Sequence, residues 1–231
     1  MFKNKNKNIL KYASLIQGIS DLKPSKNYIP LWYKEIKPQS KNKLEFNEDG
    51  SLKMNPKYCI PFFDSLSSGY TVELSSDVYF DQPNNIIRFS SKDEPIRVKP
   101  GPSQIPTPAG YDDSTFLLWN IPYAIKTPPG YSLLFTHPLN RYELPFLTSS
   151  AIVDSENIIP GGGTPFFLKK DFNGLIEKGT PVLQIIPIKR EDWISKNNIE
   201  MQKEDQEARA KIKSVFFGYY KKNNWFKKSY E

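Results

Sequence analysis

The stretch FLLWNIPYAIKT-PPG-YSLLFTHPL (residues 116–139) decides the fold class. Its apolar runs are short, rich in aromatic and β-branched residues, and split by a Pro-Pro-Gly turn, which is how two buried strands joined by a reversal read. The pattern continues through LPFLTSSAIVDS (144–155), PFFLKK (165–170) and TPVLQIIPIK (180–189), each run bounded by Pro, Gly or Asn. With 20 prolines against 12 glycines, the chain favours many short strands joined by turns over long helices. The expected architecture is mainly β, a barrel or sandwich of short strands. Gly161-Gly162-Gly163 marks a flexible turn; no Lys-Ser or Lys-Thr helix start follows it, as a phosphate-cradling loop requires.

Upstream, CIPFFDSLSSGYTVELSSDVYF (59–80) reads as a strand region, with Tyr70, Val72 and Leu74 alternating with Thr71, Glu73 and Ser75. Residues 81–85 form a reversal into IIRFSS (86–91), giving a hairpin, and the proline-rich residues 95–113 form an irregular surface loop. The stretch PSKNYIPLWYKEIKP (24–38) suggests an extended strap that pins Trp32 and Tyr33 on the domain. Residues 9–22 fit a strand or a short helix, and residues 1–8 alternate Lys and Asn as a flexible basic arm. After Trp193, residues 198–220 carry Ala208, Ile212, Val215, Phe216 and Tyr219 at helical spacing, with Glu207 four residues before Lys211. This amphipathic helix packs on its own barrel or serves subunit assembly. The expected organisation is an arm (1–8), one β-rich domain (9–196), and a C-terminal helix with a basic tail (197–231).

Net charge is +7, but it is divided unevenly. Residues 1–43 hold ten lysines against Asp21 and Glu35, and residues 211–231 hold six against Glu231, leaving residues 44–210 at −6. An acidic body disfavours nucleic-acid binding through the core. Cys59 is the sole cysteine, so neither a disulfide framework nor a cysteine zinc cluster forms within one chain, and it reads as a small buried hydrophobe. The N-terminal residues lack the apolar run of a leader or membrane span, so a soluble, intracellular protein is expected, with no membrane partner.

Residues 127–190 resemble the second half of the deoxyuridine-triphosphatase and deoxycytidine-triphosphate-deaminase fold, here termed dUTPase-like. Pro129-Gly130-Tyr131 resembles that family's strand-opening turn, Ala151-Ile152-Val153-Asp154 its Gly-Val-Ile-Asp catalytic segment, and Gly179-Thr180-Pro181-Val182-Leu183-Gln184 its closing Gly-x-x-Ile-x-Gln strand. Ser68-Gly69-Tyr70, with Glu73 and Leu74 following, is similar to its first motif. Taken together, IPLWYK (29–34), residues 59–74, 125–141 and 152–155, and GTPVLQIIPIKREDW (179–193) resemble an uncharacterised family of tailed bacteriophages and bacteria. The resemblance implies a viral protein in the infected host's cytoplasm, or in the virion if structural, and a homo-oligomer, by analogy a trimer. The chain departs from the catalytic pattern: Leu139-Asn140-Arg141 replaces a phosphate-binding Arg-Ser-Gly loop, Asn157 replaces a stacking tyrosine, and a lysine-rich helix replaces a glycine-rich closing arm.

The residues singled out are Asp154 as the catalytic base and Arg141, Asn140, Gln184 and Glu73 as substrate-binding groups, with Asp154, Arg141 and Gln184 expected to converge on one cavity, within a chain or across subunits. Asp154 also fits a polar strand end, and Arg141 either clamps an anion or pairs with a carboxylate such as Glu143. His137, the only histidine, is the one residue through which a triad or a metal site with Asp154 and Glu156 would run; its neighbours also suit a strand end. Asp64 and Glu73 are candidates to face the same cavity. Three readings remain: a non-catalytic dUTPase-like protein binding a nucleotide or other small anion, a virion structural or assembly protein contacting other phage proteins, and a nucleotide hydrolase using Asp154 with Mg²⁺.

Overall fold

The computed structural model describes residues 8–38, 45–50, 53, 55–82, 87–99, 104–112, 114–214 and 219–231. Most of the basic arm (1–7) and the reversal at 83–86 lie outside the described residues, as do residues 215–218 and the side chains of 212–214. In chain order the strands are β1 (Lys11–Ser14), β2 (Lys23–Pro24), β3 (Tyr70–Glu73), β4 (Val78–Asp81), β5 (Arg88–Ser91), β6 (Ile96–Lys99), β7 (Phe116–Asn120), β8 (Tyr123–Lys126), β9 (Tyr131–Thr136), β10 (Phe146–Thr148), β11 (Ala151–Asp154), β12 (Gly163–Leu168), β13 (Gly174–Ile176) and β14 (Pro181–Lys189). Helices α1 (Leu31–Glu35), α2 (Ile60–Ser67), α3 (Met201–Ser214) and α4 (Tyr219–Asn223) accompany 3-10 turns at Ser25–Tyr28 and Pro56–Tyr58. The protein is mainly β, as the sequence implies.

Two antiparallel sheets enclose the core: one ordered β11-β9-β14-β3-β2, the other β10-β12-β7-β6. A three-stranded sheet, β13-β4-β5, and the pair β1-β8 flank them. Alternation places Leu133 and Phe135 of β9 and Leu183 and Ile185 of β14 in the core, facing Leu117 and Trp119 of β7 and Phe166 and Leu168 of β12. Trp119 is fully buried and stacks on Phe166 at 3.7 Å, with Phe146 meeting its edge at 4.9 Å. Burying a large apolar side chain of this kind contributes about 3 kcal/mol, provided that the indole N–H finds an acceptor.

Thr148 supplies that acceptor. Its Oγ1 accepts from Trp119 Nε1 at 3.0 Å and donates to the Val182 carbonyl at 2.7 Å, tying the two main sheets together. The carbonyl belongs to the register shift between Pro181 and Leu183 in the β14–β3 pairing, where one residue drops out of the ladder. The Thr148 N–H donates to His137 Nδ1 at 3.3 Å, so the ring proton sits on Nε2, which donates to the Arg141 carbonyl at 3.2 Å. Burial, the largest cause, lowers the His137 pKa below its ordinary 6.5.

Several expectations give way. Residues 60–67 form α2 instead of a strand, because Pro61 suits a first helical turn and Ser65 and Ser67 donate back to the Phe62 and Phe63 carbonyls. Residues 24–38 are not extended: they coil into a 3-10 turn and α1, although Tyr33 is pinned as expected, stacked on Phe62 and Phe63. The 95–113 segment contributes β6 beside β7, and Gly163 opens β12. Cys59 is exposed, not buried, because it precedes α2 at the surface. The described side chains of α3 are exposed apart from a half-buried Ala208, so this part of the helix does not pack on the sheets.

Gly69 joins α2 to β3 with φ at +72°, and a Cβ there would lie 2.1 Å from the Ile185 carbonyl oxygen. Gly69→Ala therefore combines left-handed strain with a backbone clash, and is expected to cost at least ~2 kcal/mol, read as a lower urea midpoint at unchanged m-value. His137 yields a pH prediction. Because its folded pKa is lowered, the unfolded chain binds a proton first on acidification; stability is full above pH 6.5 and falls as pH drops towards the folded value. Thermal unfolding between pH 7.5 and 5 should show this decline, and His137→Gln should flatten it.

Candidate functional site

Gln184, on β14, is 2% exposed, and its amide is fully engaged. Oε1 accepts from the Leu139 N–H at 2.9 Å, and Nε2 donates to the carbonyls of Ser65 (3.0 Å) and Ser68 (2.7 Å). The side chain thus braces β14 against the end of α2 and the turn after β9. Asn140 lies in that turn with φ at +59° and donates to Ser65 Oγ at 2.6 Å, while its Oδ1 accepts from Tyr142 Oη at 3.1 Å. Arg141 comes next. Its Nε is paired with Glu143, and Nη1 donates to the Tyr28 carbonyl at 3.1 Å.

Tyr28 connects this group to Glu73. Its hydroxyl donates to Glu73 Oε2, Ser20 donates to Oε1, and Lys23 stands 3.6 Å from the same carboxylate. Burial alone would raise the Glu73 pKa, but the hydroxyls of Ser20 and Tyr28, aided by Lys23, outweigh it and hold the carboxyl below 4.5. Burial, then the hydrogen bond to Glu73, pushes the Tyr28 phenol far up. Tyr123, whose hydroxyl donates to the Ser20 carbonyl at 2.7 Å, is raised to about 12, chiefly by burial. Four of the five residues singled out therefore share one neighbourhood, with Tyr28 as the link that sequence reading missed. It lies 45 positions from Glu73, and no local pattern marks that pairing.

Asp154 stands apart within one chain. It pairs with Ser132 in the β11–β9 ladder, whereas Gln184 pairs with Thr136 in the β9–β14 ladder. Four residues of strand separate them, about 13 Å. Asp154 is 71% exposed; its Oδ1 accepts from Ser132 Oγ at 2.5 Å and lies 3.8 Å from Arg190, which also pairs with Glu156. Ser155, beside it, is fully buried and bonds Thr127 at 3.0 Å. The Asp154–Glu156 segment thus carries its own cation and offers no dedicated cage for Mg²⁺. Among the described residues no group of three or more His, Cys, Asp or Glu side chains is placed to hold a metal. His137 has both nitrogens engaged, and Asp64 faces away, towards the C-terminal tail.

Two adjoining hollows occupy the surface between these groups. A trough of about 510 Å³ is lined by Thr136, His137, Leu139, Asn140, Tyr142 and Phe167 among others. Next to it, an apolar pocket of about 360 Å³ is walled by Ile121, Tyr123, Ile125, Phe135, Val153 and Ile159. Ile105, Ser149 and Ser150 belong to both. The Ser149 hydroxyl is sealed from solvent with no hydrogen-bond partner among the described residues, so it faces the interior and neither hollow reaches it, whereas Ser150 is exposed on the shared wall. Among the described residues, neither lining contains a charged side chain. The arrangement suits an uncharged, partly apolar molecular surface held by hydroxyl, amide and imidazole edges.

Among the described residues, no helix is long and apolar enough to cross a membrane. No protein-family model and no curated protein matches the chain. Among solved structures the chain is similar to a mutant dUTPase from phage phi11 of S. aureus, described as revealing the coordination of a structural Mg(II) ion. Identity is 10% and the TM-score 0.37, over 84% of this chain and 99% of that one.

Proposed function

We propose that this chain is a non-catalytic small-molecule-binding protein. The observation that carries the reading is the pair of adjoining hollows whose linings, among the described residues, hold hydroxyl, amide and imidazole groups but no charged side chain. A nucleotide or other small anion seats its uncharged part there. Its charged group points out past Tyr142, whose carbonyl accepts a 3.4 Å hydrogen bond from Lys169, the lysine at that end of the trough. Arg141 steadies the turn more than it clamps the anion, since two of its nitrogens are occupied. Hydrolysis is the weaker reading: Asp154 is exposed, paired and about 13 Å along the sheet from Gln184, and the cations that would neutralise developing phosphate charge do not surround it. A role in assembly, with a homotrimer as the associated form, has one observation in its favour. Trp193 is 84% and Ile194 95% exposed in the linker before α3, side chains that a neighbouring subunit or phage protein would cover.

Calorimetric titration with a panel of nucleoside triphosphates, with and without Mg²⁺, tests the binding reading. Wild type should bind at least one member without releasing phosphate or pyrophosphate, and Ser150→Ala, at the exposed serine that lines both hollows, should weaken binding about five- to tenfold through one lost hydrogen bond. Wild-type turnover that vanishes in Asp154→Asn sinks the non-catalytic reading and establishes the hydrolase. Absence of both binding and turnover leaves the assembly role in front. Light scattering checks the assembly separately: three times the 26.7 kDa chain mass is expected, and a clean monomer removes the trimer.

A further inference from the structure

The C-terminal tail and the described N-terminal segment of residues 24–35, distant in sequence, both pack around α2. The tail after α4 returns to α2: Trp225 Nε1 donates to both Asp64 carboxylate oxygens at 3.2 and 3.0 Å, and Lys228 pairs with the same carboxylate. Two residues on, the Tyr230 ring meets the edge of Tyr70 at 5.8 Å. Tyr70 pairs with Pro24 of β2, and the Ser25 N–H donates to the Gly69 carbonyl at 2.9 Å, so the tail lies beside the N-terminal 3-10 turn. On another side of α2, Tyr33 of α1 stacks on Phe62 and Phe63, while Lys57 lies 4.3 Å over the Tyr33 ring and reaches the Lys34 carbonyl. Lys26, Lys34 and Lys57 from the N-terminal part thereby join Lys221, Lys222 and Lys227 from the tail around α2.

We propose that this composite face binds single-stranded nucleic acid. Charge segregation supports it: residues 44–210 carry −6 and the excess positive charge of the sequence lies in its two ends, of which Lys26, Lys34, Lys221, Lys222 and Lys227 belong to segments that pack around α2, joined by Lys57 of the body. The nearby carboxylates Asp64 and Glu73 are already paired, with Lys228 and Lys23, whereas among the described residues Lys26, Lys34, Lys221, Lys222 and Lys227 form no ion pair. Aromatic side chains stand among the lysines, Phe226 at 83% and Tyr220 at 44% exposure. Exposed rings interleaved with cations give unpaired bases a surface to stack on while lysines follow the phosphates, a chemistry a duplex with its bases closed does not use.

The test is fluorescence anisotropy of an end-labelled thymidine 20-mer titrated with the full chain at 50 and 200 mM salt. Six engaged lysines give a slope of about −4 in log affinity against log salt, so the fourfold rise in salt should weaken binding roughly two hundredfold. Replacing Lys221, Lys222 and Lys227 together by Gln should reduce the slope to about −2, and Phe226→Ala should weaken binding about tenfold. Asp64→Ala is the sharpest variant. It makes the protein more positive yet releases the tail, so affinity should fall several-fold; circular dichroism confirms that the fold persists. Unchanged or tighter binding by Asp64→Ala overturns the composite face, as does unchanged binding by the triple lysine variant. Absence of oligonucleotide binding at 50 mM salt, with or without binding to phosphatidylserine vesicles, overturns the nucleic-acid assignment.

Discussion

The buried amide of Gln184 is the constraint on which the functional half of the fold depends. It is 2% exposed and makes three hydrogen bonds, one to the turn after β9 and two to the end of α2. A primary amide removed from water costs several kcal/mol unless its groups are met, so each of these backbone partners must stay in place. Their placement sets the rest. Ser65 is held where its hydroxyl receives Asn140, and α2 is drawn so close to β14 that residue 69 has no room for a side chain. Leu139 is fixed as one wall of the trough, and the turn that follows positions Arg141 against Tyr28.

That bracing explains the electrostatics of the region. The charges near the hollows are already matched: Arg141 with Glu143, Glu73 with Lys23 and two hydroxyls, and Arg190 with Glu156 and Asp154. The exposed pair Arg190–Glu156 contributes under about 1 kcal/mol, because water screens both partners. Glu73 is more enclosed, and its hydroxyl donors replace the water it loses. What remains at the concave surface, among the described residues, is neutral. Chemistry that requires cations converging on a polyanion lacks its main stabilising term there.

The strands from Phe116 onward were legible because short apolar runs between Pro and Gly have few other ways to bury themselves, and the Tyr70–Glu73 strand showed plain alternation. Residues 60–67 misled because Ile60, Phe62, Phe63 and Leu66 suit both a helix face and a buried strand, and the contacts of Ser65, Ser68, Phe62 and Phe63 with distant segments that hold the helix have no mark in local sequence. At the site, the resemblance implies that Asp154, Arg141 and Gln184 converge; within one chain Arg141 and Gln184 are linked through the turn after β9, while Asp154 lies four strand residues away. The roles of Arg141 and Gln184 were not legible, since they follow from partners far along the chain: Ser65 lies 119 residues from Gln184, and Tyr28 lies 113 from Arg141. Asp154 shows the same limit. A local motif fixes strand and face, but the ladder register decides which end of the sheet the side chain occupies.

Helix α2 thereby serves two surfaces through neighbouring positions. Successive helical residues point about 100° apart, so Ser65 reaches the Gln184–Asn140 brace while Asp64 reaches Trp225 and Lys228 of the tail. Neither contact requires the other to form, yet both load the same eight residues, and a helix this short has little stability of its own. Its order is supplied from outside, by the amide on one side, the tail on another and the rings of Tyr33, Phe62 and Phe63 between them. The helix that receives the tail at Asp64 is thus the one whose Ser65 and Ser68 meet Gln184 and the turn that walls the trough. The basic face and the neutral hollows are mechanically joined by one short helix, although their electrostatic characters are opposite and the chain segments that build them are far apart in sequence.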